Sequence, residues 1–280
     1  MRDFNTITSA TMAQHADYVR AEVLMSVRNV SLTFDKPILR NINFEVHNIV
    51  RPGLHQGQVI SLIGRSGIGK TQLFRILAGL QQPHSGSVAI GADQHLVEPG
   101  EVGIVAQNYL LFNHRTIRDN LMLAMRNSDT VSDDPQRKQL IQQYAESFDL
   151  AEHLGKYPMQ LSGGQRQRTS IIQQILTGNK FILLDEPFSG LDALMIDKVM
   201  ALLIRISTLD ELNTIVIISH DVENALAISD TAYILAREEA KEGATITETL
   251  DLMKMGLAWN PEIRENEAFQ QLVSQIKHKI

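Results

Sequence analysis

Gly64-Arg65-Ser66-Gly67-Ile68-Gly69-Lys70-Thr71 is the stretch whose reading decides the fold. It fits G-x-x-x-x-G-K-[ST], a loop whose backbone N–H groups wrap phosphate oxygens. Glycine opens backbone angles closed to other residues, and it lets the amides come close to the ligand. Lys70 is placed to reach β- and γ-phosphates as a point charge, and Thr71 to offer its hydroxyl to Mg²⁺. A helix beginning at Lys70 adds the positive end of its dipole to the same anion site. The flanks supply the context that such a loop requires. Gln58-Val59-Ile60-Ser61-Leu62-Ile63 is an apolar strand running into the loop. Leu73, Phe74, Ile76, Leu77 and Leu80 then recur at helical spacing, with Gly79 at the stop.

Outward from the loop, the chain alternates strands and helices. Before it, Val23, Met25, Val27, Val30, Leu32 and Phe34 alternate, and Ile38 to Val46 continues the same signal after Pro37. Residues 1–22 are polar and aperiodic and are expected to form an extension. His47 to Gly57, with Pro52 and Gly53, is expected to be a loop. After it come short strands at Ser87–Ile90 and Val102–Ala106. A helical stretch follows: Thr116 and Asp119 resemble a capping box opening Ile117–Met125, and Asp134 with Pro135 opens a second helix. Roughly residues 108–160 therefore form an all-helical insertion. The alternation resumes with a helix Gly164–Leu176, a strand Phe181–Leu184, a helix Ala193–Ile206, a strand Thr214–Ile218, a helix after His220 and a strand Thr231–Leu235. A charged tail, 237–280, carries a short strand near Ala244–Ile246 and a final helix about Pro261–Ile276. The pattern predicts an α/β P-loop NTPase fold: a mostly parallel core sheet, an antiparallel β subdomain on the N-terminal side, and the helical insertion. The main domain is expected to span residues 23–236.

Composition sets outer bounds. The 280 residues can bury a substantial core, and 44% hydrophobic with 21% charged residues is ordinary for a globular chain. No run of 18 apolar residues is present, and the first twenty residues lack the apolar core of a signal peptide. The chain has no cysteine, which agrees with a reducing compartment. A net charge of −6 argues against the broad basic surface used for nucleic acid.

Two further stretches carry chemistry. Phe181-Ile182-Leu183-Leu184-Asp185-Glu186 delivers two carboxylates at the C-terminal edge of a core strand, where ligands of open α/β sheets bind. Asp185 is suited to hold Mg²⁺ opposite Thr71, and Glu186 to orient or deprotonate an attacking water. Leu161-Ser162-Gly163-Gly164-Gln165-Arg166-Gln167-Arg168 makes a second anion site from a hydroxyl, bare amides and a helix start. One chain binding one nucleotide does not need two.

With that stretch, the chain resembles the ATP-binding subunits of ABC transporters, in which Leu-Ser-Gly-Gly-Gln is the signature motif. The resemblance covers roughly Val23 to Ala236. It implies that Ser162, Gly163, Gly164 and Gln165 of one subunit close over ATP held by Gly64 to Thr71 and Gln72 of another, giving a head-to-tail dimer, either a homodimer or a paired ABC subunit. It further implies a role for Gln107 at catalysis and Mg²⁺, for Asp192 in Ser189-Gly190-Leu191-Asp192 at the dimer interface, and for His220 at the γ-phosphate. Phe34 stands where the family stacks an aromatic on adenine. Lys70, Gln107, Glu186 and His220 are thus the expected catalytic residues, with Thr71, Gln107 and Asp185 at the metal. Membrane permease subunits and a substrate-binding protein are the implied partners, nucleic acid is not, and the implied location is the cytoplasmic face of the cell membrane.

The chain departs from the family in places. Ile172-Gln173-Gln174-Ile175-Leu176 replaces the usual Ala-Arg-Ala-Leu, keeping the apolar positions. Leu111-Phe112-Asn113-His114 lacks a common proline, and His114 has no ligand-spaced partner for a metal. Asp185 to Leu194 and the short tail look most like importer subunits of the nitrate, sulfonate and taurine group. Two other readings compete: the ATPase of a lipid-trafficking or export complex, and a soluble ABC ATPase acting on nucleic acid. The acidic charge opposes the latter, as do the 97 positions from Gly64 to Leu161, too few for a long coiled coil.

Overall fold

Strand β3 (Gln58–Ile63) is buried along its whole length. Such a continuous run fits a strand paired on both sides and covered on both faces. In the computed structural model, which describes residues 18–51, 55–127, 133–260 and 262–280, β3 pairs in parallel with β8 (Thr214–Ser219) and β9 (Thr231–Arg237). Parallel pairing continues from β8 to β7 (Phe181–Asp185) and from β7 to β6 (Val102–Val105). The antiparallel side holds β1 (Val19–Thr33), β2 (Pro37–Val50), β4 (Ser85–Ile90) and β5 (His95–Leu96). A strand from the tail, β10 (Ala244–Asp251), joins the two sides by pairing with β2 and β9. One sheet of ten strands results, in the order β5-β4-β1-β2-β10-β9-β3-β8-β7-β6.

Helices then cover both faces. Along β3 and β8 the side chains alternate, as the two-residue period of a strand requires. Ile60, Leu62, Val216 and Ile218 share one core with helix α1 (Lys70–Leu77) and the N-terminal strands. Val59, Ile215 and Ile217 share another with the helical insertion. That insertion contains α2 (Ile117–Ala124) and α3 (Asp134–Ser147), followed by α4 (Gly163–Leu176) and α5 (Ala193–Ser207). Within α1, Leu73, Phe74, Ile76 and Leu77 are at most 5% exposed. Each buried side chain of this kind stabilises by roughly 1.5–3 kcal/mol, which anchors the helix whose first residues carry the phosphate-loop lysine. A third core packs α6 (Val222–Ile228) and α7 (Glu267–Lys279) against Ile63, Ala232 and Ile234. Among the described residues no helix is long and apolar enough to cross a membrane.

Several boundaries differ from the sequence expectation. The strand β2 runs through His47 to Val50, a stretch expected to be loop, because Ile49 pairs with Arg20 and Val19 with Val50. Residues 52–54 of that expected loop lie outside the described residues. By the same pairing β1 begins at Val19, inside the expected 1–22 extension, of which residues 1–17 lie outside the described residues. Cross-strand pairing, invisible to local periodicity, extends both strands. The polar Arg28 and Asn29 interrupt β1 as a bulge, with Asn29 at φ 53° and the register slipping between Val27 and Val30. Capping of α3 comes from Asp133, one residue before the expected Asp134, so Pro135 is the second helical residue. The tail strand is eight residues long rather than three, since β9 offers it a partner along its full length. The last helix starts at Glu267 behind the cap Asn266, after one 3₁₀ turn at Ile263–Glu265.

Candidate functional site

The loop from Gly64 to Lys70 leaves the C-terminal end of β3 in the middle of the parallel strands. The Gly64 N–H donates to Ser219 O at 3.2 Å, fixing the loop to the neighbouring strand β8. A side chain at Gly64 is excluded, because a Cβ there would lie 2.5 Å from the Leu235 carbonyl oxygen. Gly69, the residue before α1, has φ 116°, and no side chain caps this helix. Its first turn also carries no acidic residue. The donors left at a helix start are thereby open to an external anion. A Cβ on Gly69 would stand 3.0 Å from Ile38 Cγ2, so the β1–β2 hairpin lies against the loop. Phe34 sits at the tip of that hairpin and is 58% exposed.

Four residues converge behind the loop. Lys70 is 7% exposed and donates through Nζ to Gly64 O at 2.8 Å and Arg65 O at 3.0 Å. The same Nζ stands 3.4 Å from Glu186 Oε1. Glu186 has φ 52°, a left-handed conformation that costs a non-glycine residue, and its N–H donates to Ile218 O at 2.8 Å. This turn at the end of β7 swings the carboxylate across to β8. There its Oε2 accepts from Ser219 Oγ at 2.9 Å, and Oε1 accepts from the His220 N–H at 3.1 Å. The His220 ring approaches through Nδ1, 2.8 Å from Oε2. Ser219, not singled out from the sequence, is thus part of the cluster; its place between β8 and His220 was the available signal. Its Oγ also accepts from the Asp221 N–H at 3.0 Å.

Asp185 completes the centre. Burial and, next, the adjacent Glu186 push its carboxyl above the ordinary aspartate value, while Lys70 pulls it down. Two neighbouring carboxylates in a half-buried setting are a donor set suited to a hard divalent cation. Among the described residues no group of three or more His, Cys, Asp or Glu could hold a metal alone. The donor chemistry therefore fits Mg²⁺, an ion usually held by one or two side chains together with phosphate oxygens. On the outer side of the loop, Arg65 to Ile68 share a cavity of about 350 Å³ with Arg237 and Lys279 at the end of α7.

Among the described residues Ser162, Gly163, Gly164, Gln165, Asp192 and Gln107 make no hydrogen bond or ion pair with this cluster, whereas Thr71 and Gln72 directly follow Lys70. Ser162 caps α4: its Oγ accepts from the Gln165 N–H at 3.3 Å, and Gln165 Oε1 accepts from the Ser162 N–H at 2.9 Å. Gly164 packs so closely on α5 that a Cβ would meet Met195 Cε at 2.4 Å, whereas Gly163 faces open space. No hydrogen bond or ion pair among the described residues joins Ser162, Gly163 or Gly164 to the phosphate loop. Asp192 caps α5 by accepting from the Met195 N–H at 2.9 Å. Gln107 is exposed just beyond β6, and Thr71 is exposed in the first turn of α1. Gln72 is half-buried there.

Comparison with known proteins places the chain in a family. The family described as ABC transporter matches residues 47–189. The sulfate/thiosulfate import ATP-binding protein CysA 1 of Agrobacterium fabrum is 32% identical over 234 residues, 81% of this chain and 65% of the relative. The nitrate import ATP-binding protein NrtC of Synechococcus elongatus is 36% identical over 236 residues, 81% of this chain and 34% of the relative. The chain thus spans less than two thirds of the length of either relative. Among solved structures, a component of the ABC transporter complex cbiONQ from Clostridium perfringens superposes with a TM-score of 0.70 at 20% identity, covering 92% of this chain and all of that one. A dimeric post-hydrolysis state of an ATP-binding cassette bound to ADP and phosphate superposes with a TM-score of 0.66 at 22% identity, over 82% of this chain and 99% of that one.

Proposed function

The chain belongs to the ABC transporter family, and from that membership we propose that it is the ATP-hydrolysing, energy-coupling subunit of an importer-type membrane transporter. It works as a head-to-tail dimer on separate permease subunits at the inner face of the cell membrane, together with a substrate-binding protein. Residues 23–236 form the ATPase domain, with 108–160 as its helical insertion toward the permease and 237–280 as a tail that adds strand β10 to the sheet and packs α7 on it. The observation that carries the reading is the position of Glu186, held between Lys70, Ser219 and His220 at the mouth of an uncapped phosphate loop.

In the reaction, Lys70 exchanges its bonds to Gly64 O and Arg65 O for β- and γ-phosphate oxygens, which releases Glu186 from its ion pair. Glu186 then orients the attacking water and accepts its proton as the water oxygen bonds to the γ-phosphorus and the bond from that phosphorus to the bridging oxygen breaks, leaving ADP and phosphate; its carboxylate is aimed by Ser219 Oγ and the His220 N–H. His220, freed on its ring side, turns to the γ-phosphate. Phe34 covers the adenine, and the loop from Gly64 to Thr71 with Gln72 supplies the amides. Thr71 and Asp185, with Gln107, would hold Mg²⁺, which when bound would supply charge to offset that building on the phosphate oxygens. Ser162, Gly163, Gly164 and Gln165 of the second copy face the same γ-phosphate, with Asp192 beside the interface. The separation of Ser162 from the loop within one chain supports this sharing.

Glu186→Gln tests it directly. The amide keeps the size of the side chain and loses the base, so ATP should bind, persist and hold two copies together in size-exclusion chromatography. A variant that binds ATP yet stays monomeric at every concentration would overturn the shared site. Lys70→Ala should abolish hydrolysis, and pull-down from membranes should recover a multi-span permease; recovery of nucleic acid in its place would point to the soluble class instead.

A further inference from the structure

A cleft of about 260 Å³ lies where the helical insertion meets the core, at the end of α3. Three cations line it, Arg168 from α4 and Lys198 and Arg205 from α5, with Asp149 as the one carboxylate among its described residues. Arg205 is fixed in place: one Nη donates to Ser147 O at 2.8 Å, and its guanidinium lies 5.7 Å from the centre of the Phe148 ring. Arg168 is less satisfied. Its Nε is buried and has no hydrogen-bond partner. Among the described residues neither Arg168, Lys198 nor Asp149 forms an ion pair.

An unpaired buried N–H and converging like charges are both unfavourable unless an outside group answers them. Guanidinium groups favour oxyanions, since their planar N–H edges match two oxygens at once. The volume falls below that of drug-sized sites, which suits a small ion and not a nucleotide. We propose that this cleft binds a doubly charged oxyanion of the phosphate or sulfate class. Bound there, the ion joins Arg168 of α4, which Ser162 caps, to Lys198 and Arg205 of α5, which begins behind Asp192, and Arg205 in turn holds Ser147 O at the end of α3. Occupancy would then hold the insertion against the core and bias the orientation of both helix starts. The binding itself does not depend on the ATPase reading.

Calorimetric titration with inorganic phosphate and with sulfate tests this at low ionic strength, with nitrate as the singly charged control. The phosphate loop is a competing anion site, so the titration is run on Lys70→Ala as well as on the unaltered chain. Binding should survive Lys70→Ala, weaken about tenfold or more in Arg168→Gln/Lys198→Gln, and leave nitrate without response. Lys198 is exposed, so Lys198→Gln alone preserves the fold and should weaken binding severalfold. Glycerol phosphate separates sources: binding equal to phosphate assigns the cleft to phosphoester heads, and response to the inorganic ions alone assigns it to free oxyanions. The proposal falls if no dianion binds, if Lys70→Ala removes the binding, or if the two cleft variants leave it unchanged.

Discussion

The His153 ring nitrogen Nε2 lies 2.7 Å from the Gln165 amide nitrogen, and this contact fixes which way Gln165 points. Because Gln165 Oε1 already accepts from the Ser162 N–H, the amide NH₂ must donate to His153. His153 Nε2 is therefore the acceptor, which leaves Nδ1 as the N–H of the ring, buried and without a partner. A residue of the helical insertion thus orients the cap that presents Ser162.

A double-mutant cycle with His153→Ala and Gln165→Ala should give a coupling of about 0.5–1.5 kcal/mol in urea unfolding. Ser162→Ala alone should cost about 1 kcal/mol, as for loss of an N-cap. Additive effects in the cycle would mean that the contact does not stabilise the cap.

Ser219→Ala removes the hydroxyl that joins Glu186 to the Asp221 N–H. Hydrolysis should fall about tenfold, the effect of losing one positioning hydrogen bond of about 1.4 kcal/mol. ATP affinity should remain, which nucleotide titration checks beside the rate.

Gly64→Ala should disrupt the loop at its root, because the new methyl group would lie 2.5 Å from the Leu235 carbonyl oxygen and 3.2 Å from Ile68 Cγ2. Overpacking of this kind costs roughly 1–3 kcal/mol. The measurable outcome is a lower urea midpoint together with loss of ATP binding.

Asp230, fully buried, accepts from Arg51, from the Trp259 indole N–H and, at 2.8 Å, from the Val59 N–H. This clasp fastens the end of β2, the start of β3 and the tail. Asp230→Asn leaves the Arg51 charge buried without its counter-ion and should cost about 3–5 kcal/mol. Arg51→Met/Asp230→Asn should cost much less, since no charge then stays buried and the Asn carbonyl can still accept from the Val59 and Trp259 N–H groups. Equal losses in the two variants would exclude the ionic account.

On the edge strand β5, His95 lies 2.7 Å from Asp93 and 2.7 Å from Glu101. The hydrogen bond to Asp93, then that to Glu101, raises the imidazole above its ordinary value. Protonated His95 binds its proton more tightly folded than unfolded, so its stabilisation is complete below about pH 6.5, the unfolded value, and fades as pH rises through the folded value. The Tm difference between the unaltered chain and His95→Gln should therefore shrink from acid to alkaline pH. A difference independent of pH would mean that the charge on His95 does not matter.

Local sequence already contained most residues of the candidate site. The phosphate loop, the strand ending in Asp185-Glu186, the Ser162 cap and His220 are short motifs whose chemistry lies within a few residues. Ser219 and His153 escaped notice because their roles are set by partners 33 and 12 residues away, Glu186 and Gln165. The strand ends at Val19 and Val50 escaped for the same reason: each is extended by the other.

The sequence by itself determined the α/β class, the order of elements and the residue types of the proposed phosphate loop, since periodicity, glycine placement and capping act over one turn or one strand. Only the tertiary structure decided that β10 joins the antiparallel strands to the parallel core, that Glu186 rests between Lys70 and His220, and that Arg168, Lys198 and Arg205 share one cleft. Hydrogen bonds between strands and the meeting of like charges depend on distance in space, which the order of residues along a chain does not contain.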